Sequence, residues 1–318
     1  MFDHILVPLD GSSLAECVLP HVVAVAKALD ARVTLLRVLE HAQITDRLQS
    51  VDPLGWHIRK AEAEADLEGV RLRLQGFGLR AQSVLLEGHA AERIIEYAHE
   101  NGVDLIILSS HGRSGLSGWN VSSIVLKIIL RVYLPVMIVR AYQAVPADPG
   151  SLRYRRLLVP LDCSRRAECV LSLATTLARH HEAELLAAHV VSRPQMPRWA
   201  PPTQEDVELA GRIVERNRLE GTRYLKQLKS RLDVNVRTSV LLSDHAAATL
   251  HDLVEQAKVD LVILSAHGHS GGTKWPYGSL VINFVGYGTT PLLIVQDLSP
   301  DEVDSTTAEI LARERKGH

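Results

Sequence analysis

Two loops of this 318-residue chain repeat a spacing of small, hydroxyl and imidazole residues. The first reads Ser109-Ser110-His111-Gly112, nine residues, then Ser122-Ser123; the second reads Ser265-Ala266-His267-Gly268, nine residues, then Gly278-Ser279-Leu280. Such a loop suits an anion. Glycine lets the backbone approach a phosphate, successive amides form a nest, and a small residue opening a helix leaves N–H groups aimed at negative charge. The competing reading is that the glycines only shape a tight strand-to-helix connection. A second repeated feature is Pro8-Leu9-Asp10, matched by Pro160-Leu161-Asp162 as the first strand of each half stops. The carboxylate either caps the following helix or meets a ribose hydroxyl or a hydrated metal ion.

Other chemistries fit less well. Gly268-His269-Ser270-Gly271-Gly272 has the G-x-S-x-G form of a hydrolase nucleophile elbow, which must enter a helix at once. Pro276 forbids that, and the only histidine after Ser270 is His318. His267-Gly268-His269 differs from the HxGH of nucleotidylyl transferases, and no SGGxDS loop of ATP pyrophosphatases is present. The 15 histidines include no HExxH set, so no resident metal centre is expected. Cys17, Cys163 and Cys169 have no zinc spacing; Cys17 and Cys169 fall at equivalent helical places and read as small buried hydrophobes. Trp119 and Trp275 are equivalent within the nine-residue inserts and read as loop anchors or ligand covers; the Pro-rich stretch around Trp199, 193–206, reads as an exposed excursion.

The elements that must position these loops come twice. Residues 4–20 align with 156–172 at an offset of 152 with 11 of 17 positions identical, and 103–112 align with 259–268 at an offset of 156. In each half, continuously apolar strands alternate with helices, as in Ile5–Leu9, a helix over 14–29, Val33–Leu39, a helix over 54–75 and Leu105–Ser109. That pattern predicts an α/β protein: two tandem doubly wound domains, each with a five-stranded parallel sheet flanked by helices. We expect domains at 1–143 and 155–298, a linker at 144–154 and a tail at 299–318. Ligands of such sheets sit beyond the carboxyl ends of the strands, where the strand order reverses.

Composition narrows the partners. Lys plus Arg is 35 against Asp plus Glu 37, a formal charge of −2, so nothing draws the chain to nucleic acid or an anionic membrane. The longest apolar run, 124–139, is broken by Lys127, Arg131 and Pro135, and no membrane insertion is expected. The N-terminus shows no basic stretch or cleavage site, and we expect a cytoplasmic protein.

On the PLD strand end, the end of strand two at Val38 and Val190, and the HG loop, the chain resembles the universal stress protein family over nearly its whole length. Nucleotide-binding members of that family carry G-x2-G-x9-G-[ST] in this loop. The resemblance implies an adenine nucleotide site, ATP with Mg²⁺ held through Asp162 or Asp10. In half two the implied residues are Pro160, Asp162, Val190, Ser265, His267, Gly268, Gly278, Ser279 and Leu280. In half one they are Pro8, Asp10, Val38, Ser109, Gly112, Ser122 and Ser123. Ser265 and Ser109 replace the first glycine and Ser122 the third, and a serine there is strained if the position needs positive φ. Half two is therefore expected to bind better. The resemblance also implies a regulatory or protective role without efficient turnover, pairing of domains through the strands 136–140 and 292–296, and a homodimer beyond that. The alternatives are a protein-interaction module with vestigial loops and a slow ATPase or hydrolase.

Overall fold

A computed structural model describes residues 2–40, 53–113, 115, 121–142, 146, 148–194, 201–269, 276–298 and 302–303. Trp119, Trp199, Trp275 and Ser270 lie outside the described residues, as does nearly all of the tail. Two compact units divide between Arg153 and Tyr154.

The first unit runs β1 (His4–Pro8), α1 (Ser13–Glu16), α2 (Leu19–Leu29), β2 (Arg32–Leu39), α3 (Pro53–Gly76), β3 (Ala81–Glu87), α4 (Ala90–Glu100), β4 (Leu105–Ser109), α5 (Ser123–Val132) and β5 (Val136–Val139). The second runs β6 (Arg156–Pro160), α6 (Leu171–His181), β7 (Glu184–Val191), α7 (Gln204–Arg231), β8 (Val236–Leu242), α8 (Ala246–Gln256), β9 (Leu261–Ser265), α9 (Ser279–Tyr287) and β10 (Leu292–Val295). Within the first unit the strand order is 3-2-1-4-5, and every pairing is parallel. The second repeats it as 8-7-6-9-10, again all parallel. This is the doubly wound arrangement. The chain reverses direction across the sheet between β1 and β4, and between β6 and β9, which opens a crevice at those carboxyl ends.

The apolar strands form because both of their faces are covered. Ile5, Leu6, Val7, Leu105, Ile106 and Ile107 are wholly buried in unit one, as are Leu157, Leu158, Val159 and Leu261 in unit two. The helix expected over 14–29 is two pieces, α1 and α2, parted at Cys17-Val18. Pro20 sits in the first turn of α2, where its missing N–H costs nothing. Proline is not the cause, because unit two breaks at the same place with Ser172 instead: a 3-10 turn, Ala167–Val170, precedes α6. Among the described residues no helix is long and apolar enough to cross a membrane.

Candidate functional site

Each unit has a cleft at the predicted strand ends. The half-two cleft, about 450 Å³, is lined by all nine residues singled out there, Pro160, Asp162, Val190, Ser265, His267, Gly268, Gly278, Ser279 and Leu280. The half-one cleft, about 350 Å³, is lined by Pro8, Asp10, Val38, Ser109, Gly112 and Ser122, but Ser123 is not among its lining residues. Ser123 is the first residue of α5 and is exposed beside the cleft mouth residue Ser122.

Asp10 and Asp162 do not cap the following helix. In half one Ser12 is the cap, its hydroxyl accepting from the Ala15 amide at 3.1 Å, and Ser164 accepts from the Ala167 amide at 3.1 Å in half two. The aspartates instead tie the strand end to the loop more than 100 residues away. Asp10 Oδ1 accepts from the Ser12 amide at 2.9 Å and the Ser12 hydroxyl at 2.6 Å, and Oδ2 accepts from the Arg113 amide. Asp162 Oδ1 accepts from the Ser164 amide at 3.0 Å, and Oδ2 from the His269 amide. Partial burial pushes the Asp162 pKa up, but hydrogen bonds from Ser164 and the His269 amide outweigh it, so the carboxyl stays below its ordinary range. It is ionised at neutral pH.

This contact explains the glycine of each HG loop. A Cβ on Gly112 would lie 2.1 Å from Asp10 Oδ2, and one on Gly268 would lie 2.2 Å from Asp162 Oδ2. Neither glycine has positive φ. The glycine makes room for a carboxylate, not for an unusual backbone. The strain expected at the serines is likewise absent, since Ser109, Ser122 and Ser265 are not among the positive-φ residues. Ser122 (φ −71°, ψ 160°) and Gly278 (φ −75°, ψ 167°) hold the same extended conformation.

The difference lies in what these two residues do with the helix they open. The Ser122 hydroxyl accepts from the Val125 amide at 3.3 Å and so caps α5 itself. Gly278 gives α9 no side-chain cap, and Gly278, Ser279, Leu280 and Val281 all line the cleft. The first N–H groups of α9 therefore point at the cleft with a helix dipole behind them.

The histidines support the loops from below, as expected. The His267 ring, 2% exposed with its residue, lies with Nδ1 2.8 Å from Asp297 Oδ1, which also accepts the His267 amide at 3.0 Å. Arg166 completes this set with an ion pair to Asp297 Oδ2 at 3.0 Å. In half one the Ser110 hydroxyl does the work instead, lying 3.1 Å from His111 Nδ1 and accepting from the Ala141 amide at 3.1 Å. Asp297 and Arg166 give no motif, so the sequence offered only their positions next to the last strand and the first turn. Of the cysteines, Cys17 is buried beside Ser109 as expected, but Cys169 is exposed: it lies on the outer side of the 3-10 turn, not of a continuous helix.

The sequence also missed the residues beside Val38 and Val190. Arg37, buried at the end of β2, pairs with Asp66 at 3.0 Å. His189 stands in the same place on β7, 2.7 Å through Nδ1 from the Leu161 carbonyl. Both line their clefts, and half one adds Glu40, Trp56 and Arg59.

A metal of the protein's own does not fit either cleft: among the described residues no group of three or more His, Cys, Asp or Glu could hold one.

Known proteins place the fold in a family. The universal stress protein family model matches residues 1–140 and again 153–296. A universal stress protein of Methanocaldococcus jannaschii is 28% identical over 155 residues, covering 44% of this chain and 96% of that protein. One of Mycobacterium bovis is 25% identical over 224 residues, 69% of this chain and 70% of the other. The crystal structure of a universal stress protein from Archaeoglobus fulgidus covers 94% of this chain and 100% of its own, with a TM-score of 0.67 at 16% identity, and so has the same fold. Matched in both halves, the chain belongs to the universal stress protein family, with two family domains in tandem.

Proposed function

We propose that the half-two cleft binds an adenine nucleotide, ATP together with its Mg²⁺, and that the protein is a cytoplasmic regulatory or protective module of a stress response with little or no turnover. One observation carries the reading: the amides that open α9 lack a side-chain cap and line the same cleft as the ionised Asp162. The amides would hold phosphate oxygens, Asp162 a ribose hydroxyl or the hydrated ion, and the apolar Val190, Ala246 and Leu250 the base. The three free thiols suit a reducing compartment. We also propose that the chain forms a homodimer, which light scattering decides.

The test is Gly278→Asp. A Cβ at Gly278 meets nothing nearer than the Ala266 carbonyl at 3.5 Å, so the fold tolerates the change, while the new carboxylate caps α9 and repels phosphate. Calorimetric titration with Mg-ATP is expected to show at least about a hundredfold loss at this site, from lost amide contacts and added repulsion together. Unchanged half-two binding overturns the reading. Steady-state phosphate release, with Asp162→Ala as the control, is expected to stay far below about 1 s⁻¹.

A further inference from the structure

The helix α7 is the longest of those described, and it begins well before its core does. Of its 28 residues the buried ones are Gly221, Leu225 and Leu228, so the stretch 204–220, about 25 Å of helix, runs on without a packed face. It is nevertheless firmly built. Thr203 and Asp206 cap its start reciprocally, the Asp206 carboxylate accepting from the Thr203 amide at 2.9 Å, and Glu215–Arg218 and Glu220–Arg223 pairs at 2.7 and 2.8 Å brace it along its length. The face that enters the core also continues into this stretch. Counting back from Gly221 by three or four residues a turn reaches Arg218, Val214, Ala210 and Val207. Val207 is 53% exposed, with Leu209 and Ile213 on the neighbouring flank at 41% and 36%. This is an amphipathic helix whose apolar side lies in water.

The residues of the stretch mirror one another about a midpoint between Ala210 and Gly211: Val207 stands against Val214, and Glu205 against Arg216. We infer that α7 pairs antiparallel with α7 of a second copy of this chain, about a two-fold axis through that midpoint. In such a contact each residue meets its mirror mate on the other copy. Val207 of each copy packs on Val214 of the other, and Leu209 meets Ile213 beside them. Ala210 and Gly211 lie at the crossing, where a Cβ on Gly211 would meet nothing within 4 Å, so the two backbones can approach closely. A glycine inside a helix weakens it, and a close crossing gives this one a reason. Charge sets the direction. Glu205 and Arg216 form no ion pair among the described residues, and Arg216 lies one turn from the like-charged Arg212. Antiparallel pairing brings Glu205 of each copy to Arg216 of the other at both ends of the contact, whereas parallel pairing sets like against like. This gives a surface to the homodimer proposed above and rests on that reading. Two stretches of this length bury less than the about 1,200 Å² of a standard interface, so the dimer is weak and forms in the micromolar range.

The experiment is sedimentation equilibrium of the full chain from about 1 to about 300 µM, a range that spans weak association. The expected result is a mass that rises from 35.1 kDa towards twice that value. Val207→Glu and Ile213→Glu, both at exposed places, are each expected to weaken the dimer at least about tenfold, since each puts a charge into the apolar contact, with the thermal midpoint unchanged. Gly211→Ala separates pairing from helix strength: it favours the helix, so the midpoint does not fall, yet its methyl group widens the crossing and weakens the dimer severalfold. Glu205→Arg and Arg216→Glu each weaken association, and the double variant Glu205→Arg/Arg216→Glu restores it, which only the antiparallel register permits. A parent dimer indifferent to Val207→Glu and Ile213→Glu overturns this inference and leaves the homodimer on another surface. Charge variants that the double exchange does not rescue overturn the antiparallel pairing. A parent chain that stays monomeric over the whole range overturns both this inference and the homodimer.

Discussion

The two clefts rise from the same three strand ends but solve one packing problem in opposite ways. In half one the Arg37 guanidinium lies against Gly11, where a Cβ would come within 2.8 Å of it, and Asp66 neutralises it from α3. In half two the smaller His189 ring lies against Gly221, where a Cβ would be 2.6 Å from its Cδ2. The place of Gly11 is then taken by Cys163, whose Sγ is 3.8 Å from His189 Nδ1. Asp66 and Gly221 stand at matching places, each 15 residues before the following strand, β3 or β8. The counter-ion of one half is thus the glycine of the other. A duplicated fold keeps its backbone by moving the glycine to wherever the bulky group needs room, so glycine counts in a motif say little about which half is competent.

The sharpest break between the halves should come with acid. His21 on α2 is 7% exposed, and burial lowers its pKa from 6.5 to about 4. Leu173 occupies the same place in α6 and has nothing to titrate. Because the folded pKa is the lower one, the unfolded chain takes up the proton first. Stability is complete above about pH 6.5 and falls as the pH drops towards 4, by about 3 kcal/mol in all at 1.36 kcal/mol per unit. We expect scanning calorimetry at pH 5 to show half one melting ahead of half two, and His21→Leu to remove most of that separation while changing little at pH 8. A melting profile whose pH dependence survives the substitution rejects this assignment.

What could be read from the sequence, and what could not, follows the same physics. The strands were legible because Ile5–Val7 and Leu105–Leu108 are apolar at every position, which only a doubly covered parallel sheet rewards. The cleft residues of half two were legible because loop, strand end and helix start are each short motifs at a fixed place. The job of Gly112 and Gly268 was not, since the carboxylate that fills their missing Cβ comes from a residue over 100 positions earlier. Trp56 and Arg59 were hidden for a related reason: nothing in a helical repeat of Ala, Glu, Arg and Leu reveals which end of the helix closes over β2. Cys169 was misjudged because its burial was inferred from Cys17 through a helix that neither half makes.

A smaller effect tests whether the halves are equal at the loop itself. If the glycines served a phosphate, the half with the fuller motif would suffer more from their loss. The geometry says otherwise: a methyl at Gly112 or Gly268 meets an aspartate oxygen at nearly the same distance, 2.1 or 2.2 Å, and each aspartate is pinned on its other side by a serine amide. We expect Gly112→Ala and Gly268→Ala to destabilise their own unit by about 2 kcal/mol each, the usual cost of overpacking a site that cannot relax. Denaturant unfolding of the two variants measures it. A large loss in one and none in the other would show that only one aspartate is truly locked to its loop.

The smallest change expected is a gain. Cys163 has φ +67°, where its counterpart Gly11 has φ +80°, so the turn after the first strand is left-handed in both halves. A side chain in that region costs about 1–2 kcal/mol, and glycine costs nothing sterically. A Cβ at Gly11 would come within 2.8 Å of the Arg37 guanidinium, which would have to shift, whereas the shorter His189 leaves enough space for a thiol and so allows the strain to persist. Burial, with Asp162 and Glu168 nearby, also pushes the Cys163 thiol up to about 11, so it gains nothing from ionising. Replacing it should relieve the strain and lose only one loose contact to the imidazole, less the added freedom that glycine gives the unfolded chain. We therefore expect Cys163→Gly to raise the stability of half two by about 1 kcal/mol, read as a higher thermal midpoint for that unit alone. A lower midpoint would mean that the contact between the thiol and His189 outweighs the backbone, and that the two halves differ here by choice of contact instead of tolerated strain.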